Sequence, residues 1–254
     1  MAKIGGIFLA ILGSVALAQT QYESPVWAPD GRSIAFVAKA AGGDWNIERI
    51  ALDGTFVSTV DGQRQISLMS PDGASVRQLT HGPAENFHPA WSRDGRRIAC
   101  TAAEKGTSRI MVISADGSDS KPVTSTSERA RWPAWSPDGK RIAYYVEGSH
   151  GAIWVANLAS AAQVKLFDSG LTRTLLDWSP DGKEIAFVRG AGNELGIDAL
   201  EVESGTMQRV LGSELGPGEP RWSPDGKKLL FSTHLPQGIA ILNVSDASVL
   251  RVIK

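Results

Sequence analysis

Glu23, His88, Arg131, Trp132 and Glu219 are the side chains of this sequence with most chemistry to offer if brought together. Two carboxylates and an imidazole supply acid–base groups. An indole and a guanidinium supply the stacking and ion pairing that hold a peptide, a partner's loop or a glycan. Each residue stands at a fixed place before a recurring tryptophan. Ser24, His88, Trp132, Leu175 and Glu219 lie three residues before Trp27, Trp91, Trp135, Trp178 and Trp222, and Glu23, Phe87, Arg131, Thr174 and Gly218 lie four before. Equivalent positions of a closed array of repeats fall on one ring, so the five candidates are expected at one mouth of an axial channel. If the site cuts carbohydrate, Glu23 and Glu219 should face each other at an acid–base separation.

Other chemistry is thin. The sequence has no Gly-x-Ser-x-Gly elbow, no phosphate-binding Gly-x-x-x-x-Gly-Lys-Ser/Thr and no His-Glu-x-x-His. The four histidines (81, 88, 150 and 234) lack ligand spacing, and only His88 belongs to the candidate group. A metal site usually needs three or more ligands, so no metal and no other cofactor is expected. Cys100, the single cysteine, excludes an internal disulfide and a Cys-clustered zinc site, and reads as a small core residue.

The elements that must position these residues follow from a repeat. Five segments align without gaps, from Pro25-Val-Trp-Ala-Pro-Asp-Gly-Arg-Ser-Ile-Ala-Phe36 to Pro220-Arg-Trp-Ser-Pro-Asp-Gly-Lys-Lys-Leu-Leu-Phe231. Their tryptophans are spaced 64, 44, 43 and 44 residues apart. A period of about 40–45 residues is that of a four-stranded propeller blade. In each segment Trp ends a strand, a turn that reads Ser-Pro-Asp-Gly in three of the five reverses the chain, and Ile-Ala-Phe or a near variant resumes with its first and third residues on one face. A second hairpin follows, with strands such as Ile110-Met-Val-Ile113 and Val76-Arg-Gln-Leu-Thr80. The fold class is therefore all-β, a propeller of four-stranded antiparallel blades with five full repeats and one extra hairpin, either five-bladed or a degenerate six. Trp27, Trp91, Trp135, Trp178 and Trp222 are expected between blades. Asp30, Asp94, Asp138, Asp181 and Asp225 are read as turn residues, spread round the ring and unable to converge on one ion.

The first spacing exceeds the others by 20 residues, half a blade. The blades are placed at 22–80, 81–125, 126–168, 169–212 and 213–254, with the extra hairpin at 61–80 read as decoration of the first. The alternative is the outer half of a sixth blade. With six residues between Gln19 and Pro25, ring closure would rest on packing of the last blade against the first, giving a weak ring or an open one completed by a partner chain.

Residues 1–18 read as a secretory signal peptide: Lys3 is the only charge before residue 23, and Ile4 to Ala18 is mostly apolar and ends Ala-Leu-Ala. The remaining 19–254 form one propeller domain in the periplasm or outside the cell, with no membrane span after cleavage. With 26 Lys and Arg against 27 Asp and Glu, the chain lacks the positive excess of a nucleic-acid binder.

The repeat Pro-x-Trp-Ser-Pro-Asp-Gly-Lys-x-Ile-Ala-Phe, with a later Asp-Gly turn and a strand like Arg77-Gln-Leu-Thr80, resembles the WD-like propeller repeat of the TolB family over residues 22 to 254. Such repeats also occur in propellers that cap prolyl-oligopeptidase-type peptidases. The resemblance implies an exported, non-catalytic, protein- or peptide-binding scaffold of the bacterial cell envelope. It does not carry over the partner: the family pattern has an N-terminal α/β domain, for which the sequence leaves no room before Tyr22, and six blades. The alternative function is a carbohydrate-binding or carbohydrate-active propeller, lyase- or hydrolase-like, with its site at the channel mouth.

Overall fold

The computed structural model describes residues 21–27, 34–39, 55–60, 63–69, 76–125, 129–148, 151–168, 175–190, 194–235 and 237–253. In β1 to β3 it describes the backbone only. The expected signal peptide at 1–18 and the turn holding Asp30 lie outside the described residues, as does the side chain of Trp27.

The described residues form six antiparallel sheets. A hairpin of β1 (Gln21–Trp27) and β2 (Ile34–Lys39) comes first. A three-stranded sheet follows, of β3 (Thr55–Val60), β4 (Gln63–Met69) and β5 (Val76–Gln78). Four complete blades complete the order. The first has β6 (Glu85–Trp91), β7 (Arg97–Glu104), β8 (Thr107–Ser114) and β9 (Ser120–Pro122). The second has β10 (Ala130–Trp135), β11 (Arg141–Val146), β12 (Ala152–Asn157) and β13 (Gln163–Asp168). The third has β14 (Asp177–Trp178), β15 (Glu184–Arg189), β16 (Gly196–Glu201) and β17 (Met207–Leu211). The fourth has β18 (Pro217–Trp222), β19 (Lys228–His234), β20 (Gln237–Asn243) and β21 (Val249–Ile253). Strands pair in sequence order within every sheet, the meander of a propeller blade.

β3–β4–β5 is hydrogen-bonded apart from β1–β2 and packs through β3 and β4 against β6. β3 is joined to β4 across Asp61-Gly62, as β7 is joined to β8 across Lys105-Gly106, 44 residues on. At Lys105 and Gly106 φ is 51° and 81°, the left-handed pair of a tight hairpin turn. β3 thus takes the second-strand place, and among the described residues this sheet has three strands, β3, β4 and β5. At the other end of the chain, β1 packs against β18, β19 and β20, which brings the first and last repeats together.

The repeated turn is a small hydrogen-bonded device. Ser136 Oγ donates to Asp138 Oδ1 at 2.6 Å and accepts from the Arg141 amide at 2.9 Å. The Lys140 amide donates to Asp138 Oδ1 at 3.1 Å. The same set recurs at Ser92/Asp94, Ser179/Asp181 and Ser223/Asp225. These bonds favour the carboxylate and hold all four aspartates below their usual range, the serine hydroxyl contributing most.

The core lies between blades. Ala134, Tyr145 and Ile153 of one blade pack with Trp178, Ile185 and Phe187 of the next. Trp135, Trp178 and Trp222 are 8%, 5% and 7% exposed. The Trp135 indole donates to Ala90 O at 2.9 Å, and that of Trp178 to Ala134 O at 3.1 Å. Arg97 and Arg141 of the preceding blades stack over these rings at 4.6 and 4.8 Å. Arg97 Nη2 also donates to Gly139 O at 2.9 Å. The joints at Trp135 and Trp178 therefore combine an apolar ring, a satisfied indole N–H and a cation on the ring face, whereas the Trp222 indole N–H is buried without a hydrogen-bond partner among the described residues.

Candidate binding site

The residue three before the motif tryptophan is followed by proline in four of five repeats: Ser24-Pro25, His88-Pro89, Trp132-Pro133 and Glu219-Pro220. Proline has no N–H to give the ladder, so the strand must break register there. It does: the pairing shifts between Glu23 and Val26, Phe87 and Ala90, Arg131 and Ala134, and Gly218 and Arg221. Within three of these bulges, His88, Trp132 and Glu219 have φ of 53°, 52° and 48°. Left-handed backbone at a non-glycine residue costs on the order of 1–3 kcal/mol and concentrates at functional positions. The fourth repeat alone of the five has no proline there but Leu175-Leu176, and its first strand shrinks to Asp177–Trp178.

Two of the bulge residues touch. Trp132 Nε1 donates to His88 Nε2 at 2.9 Å. His88 therefore accepts at Nε2 and carries its proton on Nδ1, which faces Thr101 Oγ1 at 3.5 Å. The fully buried Thr101 hydroxyl also accepts from the Trp132 amide at 3.3 Å. An aromatic row runs through the site, with ring centroids 4.6 Å apart for Phe87–His88, 5.2 Å for His88–Trp132 and 5.5 Å for Trp132–Tyr145.

Charge surrounds this row. Arg64 of β4 lies 4.0 Å from the Phe87 ring centroid and pairs with Glu85 at 3.0 Å. Arg131 lies 5.9 Å from the same ring, and its Nε is 3.4 Å from Glu147 Oε1. Three adjacent sheets thus contribute to one half-buried patch of aromatic rings and both charge signs.

Of the five sequence candidates, His88 and Trp132 are in direct contact and Arg131 joins them through Phe87. Glu219 has the same backbone geometry two blades further on, on β18. The side chain of Glu23 lies outside the described residues, so the expected carboxylate pair falls there too. Arg64, Thr101, Tyr145 and Glu147 were not among the candidates. Thr101 and Tyr145 had a signal: each pairs with the residue four before a motif tryptophan, Phe87 and Arg131, across the hairpin. Among the described residues no group of three or more His, Cys, Asp or Glu could hold a metal ion. Burial pushes the Cys100 thiol up to about 12, far from the thiolate a nucleophile needs.

Comparison with known proteins places this architecture. The family model described as "TolB beta propeller domain" matches residues 53–145 and again 108–252. The uncharacterized peptidase YuxL of Bacillus subtilis is 30% identical over 214 residues, 84% of this chain and 22% of that protein. The Tol-Pal system protein TolB of Desulfosudis oleivorans is 39% identical over 51 residues, 20% of this chain and 12% of that protein. The crystal structure of TolB from Acinetobacter baumannii superposes with a TM-score of 0.65 at 19% identity, covering 91% of this chain and 51% of that one. The chain thus spans 22% or less of the curated relatives it matches. With the family model running across most of the repeats, the chain belongs to the TolB beta propeller domain family.

Proposed function

We propose that this chain is an exported, non-catalytic scaffold of the bacterial cell envelope that binds a protein or peptide through the patch around His88 and Trp132. One observation carries the reading. Three repeat-equivalent non-glycine residues, His88, Trp132 and Glu219, are held in left-handed conformation on the first strands of their blades. A glycine would adopt that backbone without strain, so the side chains are what the strain is kept for. It orients an imidazole, an indole and a carboxylate, the mixture of aromatic and charged groups typical of interface anchors. The matches to Tol-Pal system TolB and to TolB structures support the envelope setting.

The test is site-specific photocrosslinking. A photoreactive residue replaces Arg131, beside the patch, in cells expressing the full chain. The expected result is a discrete adduct from the envelope fraction that disappears with Trp132→Ala and persists with Lys105→Ala, which lies on an exposed turn of a neighbouring blade. Adduct yield that ignores Trp132, or release of product from a polysaccharide by the purified chain, overturns the reading.

A further inference from the structure

Three side chains of the third complete blade carry an inference independent of the site around His88. We propose that Arg189 and Arg209, held by the buried carboxylate of Asp198, form a binding site for an oxyanion, a carboxylate or phosphate group of a ligand.

Asp198 is fully buried on β16, opposite Phe187. The corresponding residues of the other complete blades are Met111, Trp154 and Ala240, opposite Cys100, Tyr144 and Phe231. The fold therefore has no need of a charge at this place, and burying one costs more than an apolar side chain would. Arg189 stands two residues after Phe187, where the other complete blades have Ala102, Val146 and Thr233. Arg209 lies opposite Asp198 on β17. Strand alternation and cross-strand pairing put Phe187, Arg189, Asp198 and Arg209 on one face of the blade. On that face the fully buried Phe187 packs into the core shared with the preceding blade, its ring 6.0 Å from that of Phe167. The two arginines, with side chains 35% and 38% exposed, stand where this core meets water.

Both guanidiniums turn one edge inward. Arg189 Nε donates to Asp198 Oδ2. Arg209 Nη2 donates to the same oxygen at 3.5 Å, and its Nε makes an ion pair with Oδ1. Convergence on Oδ2 makes the two guanidiniums neighbours. A Cβ at Gly196 would collide with Arg209 Nη1, so glycine leaves the second guanidinium its room. Among the described residues Arg189 spends no Nη donor, Arg209 spends only Nη2, and neither pairs with a second carboxylate. One carboxylate against two guanidiniums leaves one positive charge, with planar donors fixed in direction and open to solutes. That is the arrangement that receives a carboxylate or phosphate group bidentately. The adjoining apolar core weakens screening by water on one side. Asp198 is the positioning residue, since without it the two like charges would part.

Titration of the full chain, isotope-labelled in its arginine side chains, tests this. Inorganic phosphate is one arm and acetate the other, at constant ionic strength made up with sodium chloride. The Nε–H signals of Arg189 and Arg209 are assigned from Arg189→Lys and Arg209→Lys. Both signals are expected to move together and saturate at millimolar anion, while those of Arg97 and Arg141, which lie over tryptophan rings, stay in place. Saturation by phosphate alone identifies a phosphate ligand, by acetate alone a carboxylate, and by both a general oxyanion site. Arg189→Lys keeps the charge but loses the fork, so half-saturation read at Arg209 should need at least severalfold more anion. Failure of either anion to saturate the parent's signals overturns the site, as does movement of Arg97 and Arg141 over the same range. An unchanged half-saturation in Arg189→Lys overturns the pairing of the two arginines on one ligand.

Discussion

His88 Nε2 accepts its 2.9 Å hydrogen bond from Trp132 Nε1, so the same repeat position in two neighbouring blades is tied together by side chains whose own backbones sit at positive φ. Substitutions at His88 separate the two contributions. His88→Gly loses the bond but relieves the backbone, whereas His88→Val loses the bond and adds a β-branched side chain in left-handed conformation. His88→Val is expected to be less stable than His88→Gly by about 1–2 kcal/mol in urea unfolding. Both should change Trp132 fluorescence, whose indole loses its acceptor.

Ser136 should matter more at neutral pH than in acid. Its hydroxyl is the first cause of the low pKa of Asp138, whose ordinary value is 3.8. A depressed carboxylate pKa gives stability that is fully present above that ordinary value and is lost as pH falls through the folded-state pKa. Ser136→Ala removes both the gain and a fully buried acceptor for the Arg141 amide. We expect a cost of about 1–3 kcal/mol at pH 7. The gap between variant and parent narrows at pH 2–3, read from urea midpoints at the two pH values.

Asp177 runs the other way. Desolvation between blades raises its carboxyl to about 6, against the opposing pull of Arg221 and the Trp222 amide, which donates to Oδ2 at 2.7 Å. A raised carboxylate pKa gives stability present below the ordinary value of 3.8 and lost as pH climbs through about 6. Asp177→Asn keeps an acceptor for Trp222 and cannot ionise. It should flatten the stability profile between pH 4 and 6 and raise stability at pH 7 by at most ~2–3 kcal/mol. The 28% exposure of the side chain makes the gain smaller than that ceiling. A pH series of denaturant midpoints reads the effect.

Asp198 is fully buried and its carboxylate receives Arg189 and Arg209, both about one-third exposed. Asp198→Ala should cost ~2–4 kcal/mol. The preceding blades have Met111 and Trp154 at this position, one residue beyond Ile110 and Ile153 as Asp198 is beyond Ile197. Asp198→Met combined with Arg209→Met should therefore recover more than half of the loss, because it removes the carboxylate with one of its two guanidiniums and leaves the other, Arg189, one-third exposed and able to reach water. Thermal unfolding of the single and double variants decides.

Much of this was legible in the repeat. The motif tryptophans set the sheets, and Ser-Pro-Asp-Gly set the turns. His88 and Trp132 stood out because they vary at a fixed offset. What escaped was long-range. Arg64 reaches Phe87 from a sheet whose very existence the 64-residue spacing obscured, and Tyr145 belongs to the core motif Ile-Ala-Tyr-Tyr145, where nothing marks it as part of a surface patch. The second-strand role of β3 escaped because its Thr-Phe-Val lacks the Ile-Ala-Phe of the repeat. Its partner on β4 is settled by pairing, which one strand's sequence does not state.

The indole bonds from Trp135 to Ala90 and from Trp178 to Ala134 have a bearing on how such arrays grow. The unit that heredity copies, one 43- or 44-residue period, is not the unit that is closed chemically, which straddles two periods. A tandem duplication therefore arrives with a donor on one flank and an acceptor on the other already in place. Inserting or losing whole periods keeps that donor and acceptor in phase, while a half-period insertion, as in the first repeat, puts them out of phase.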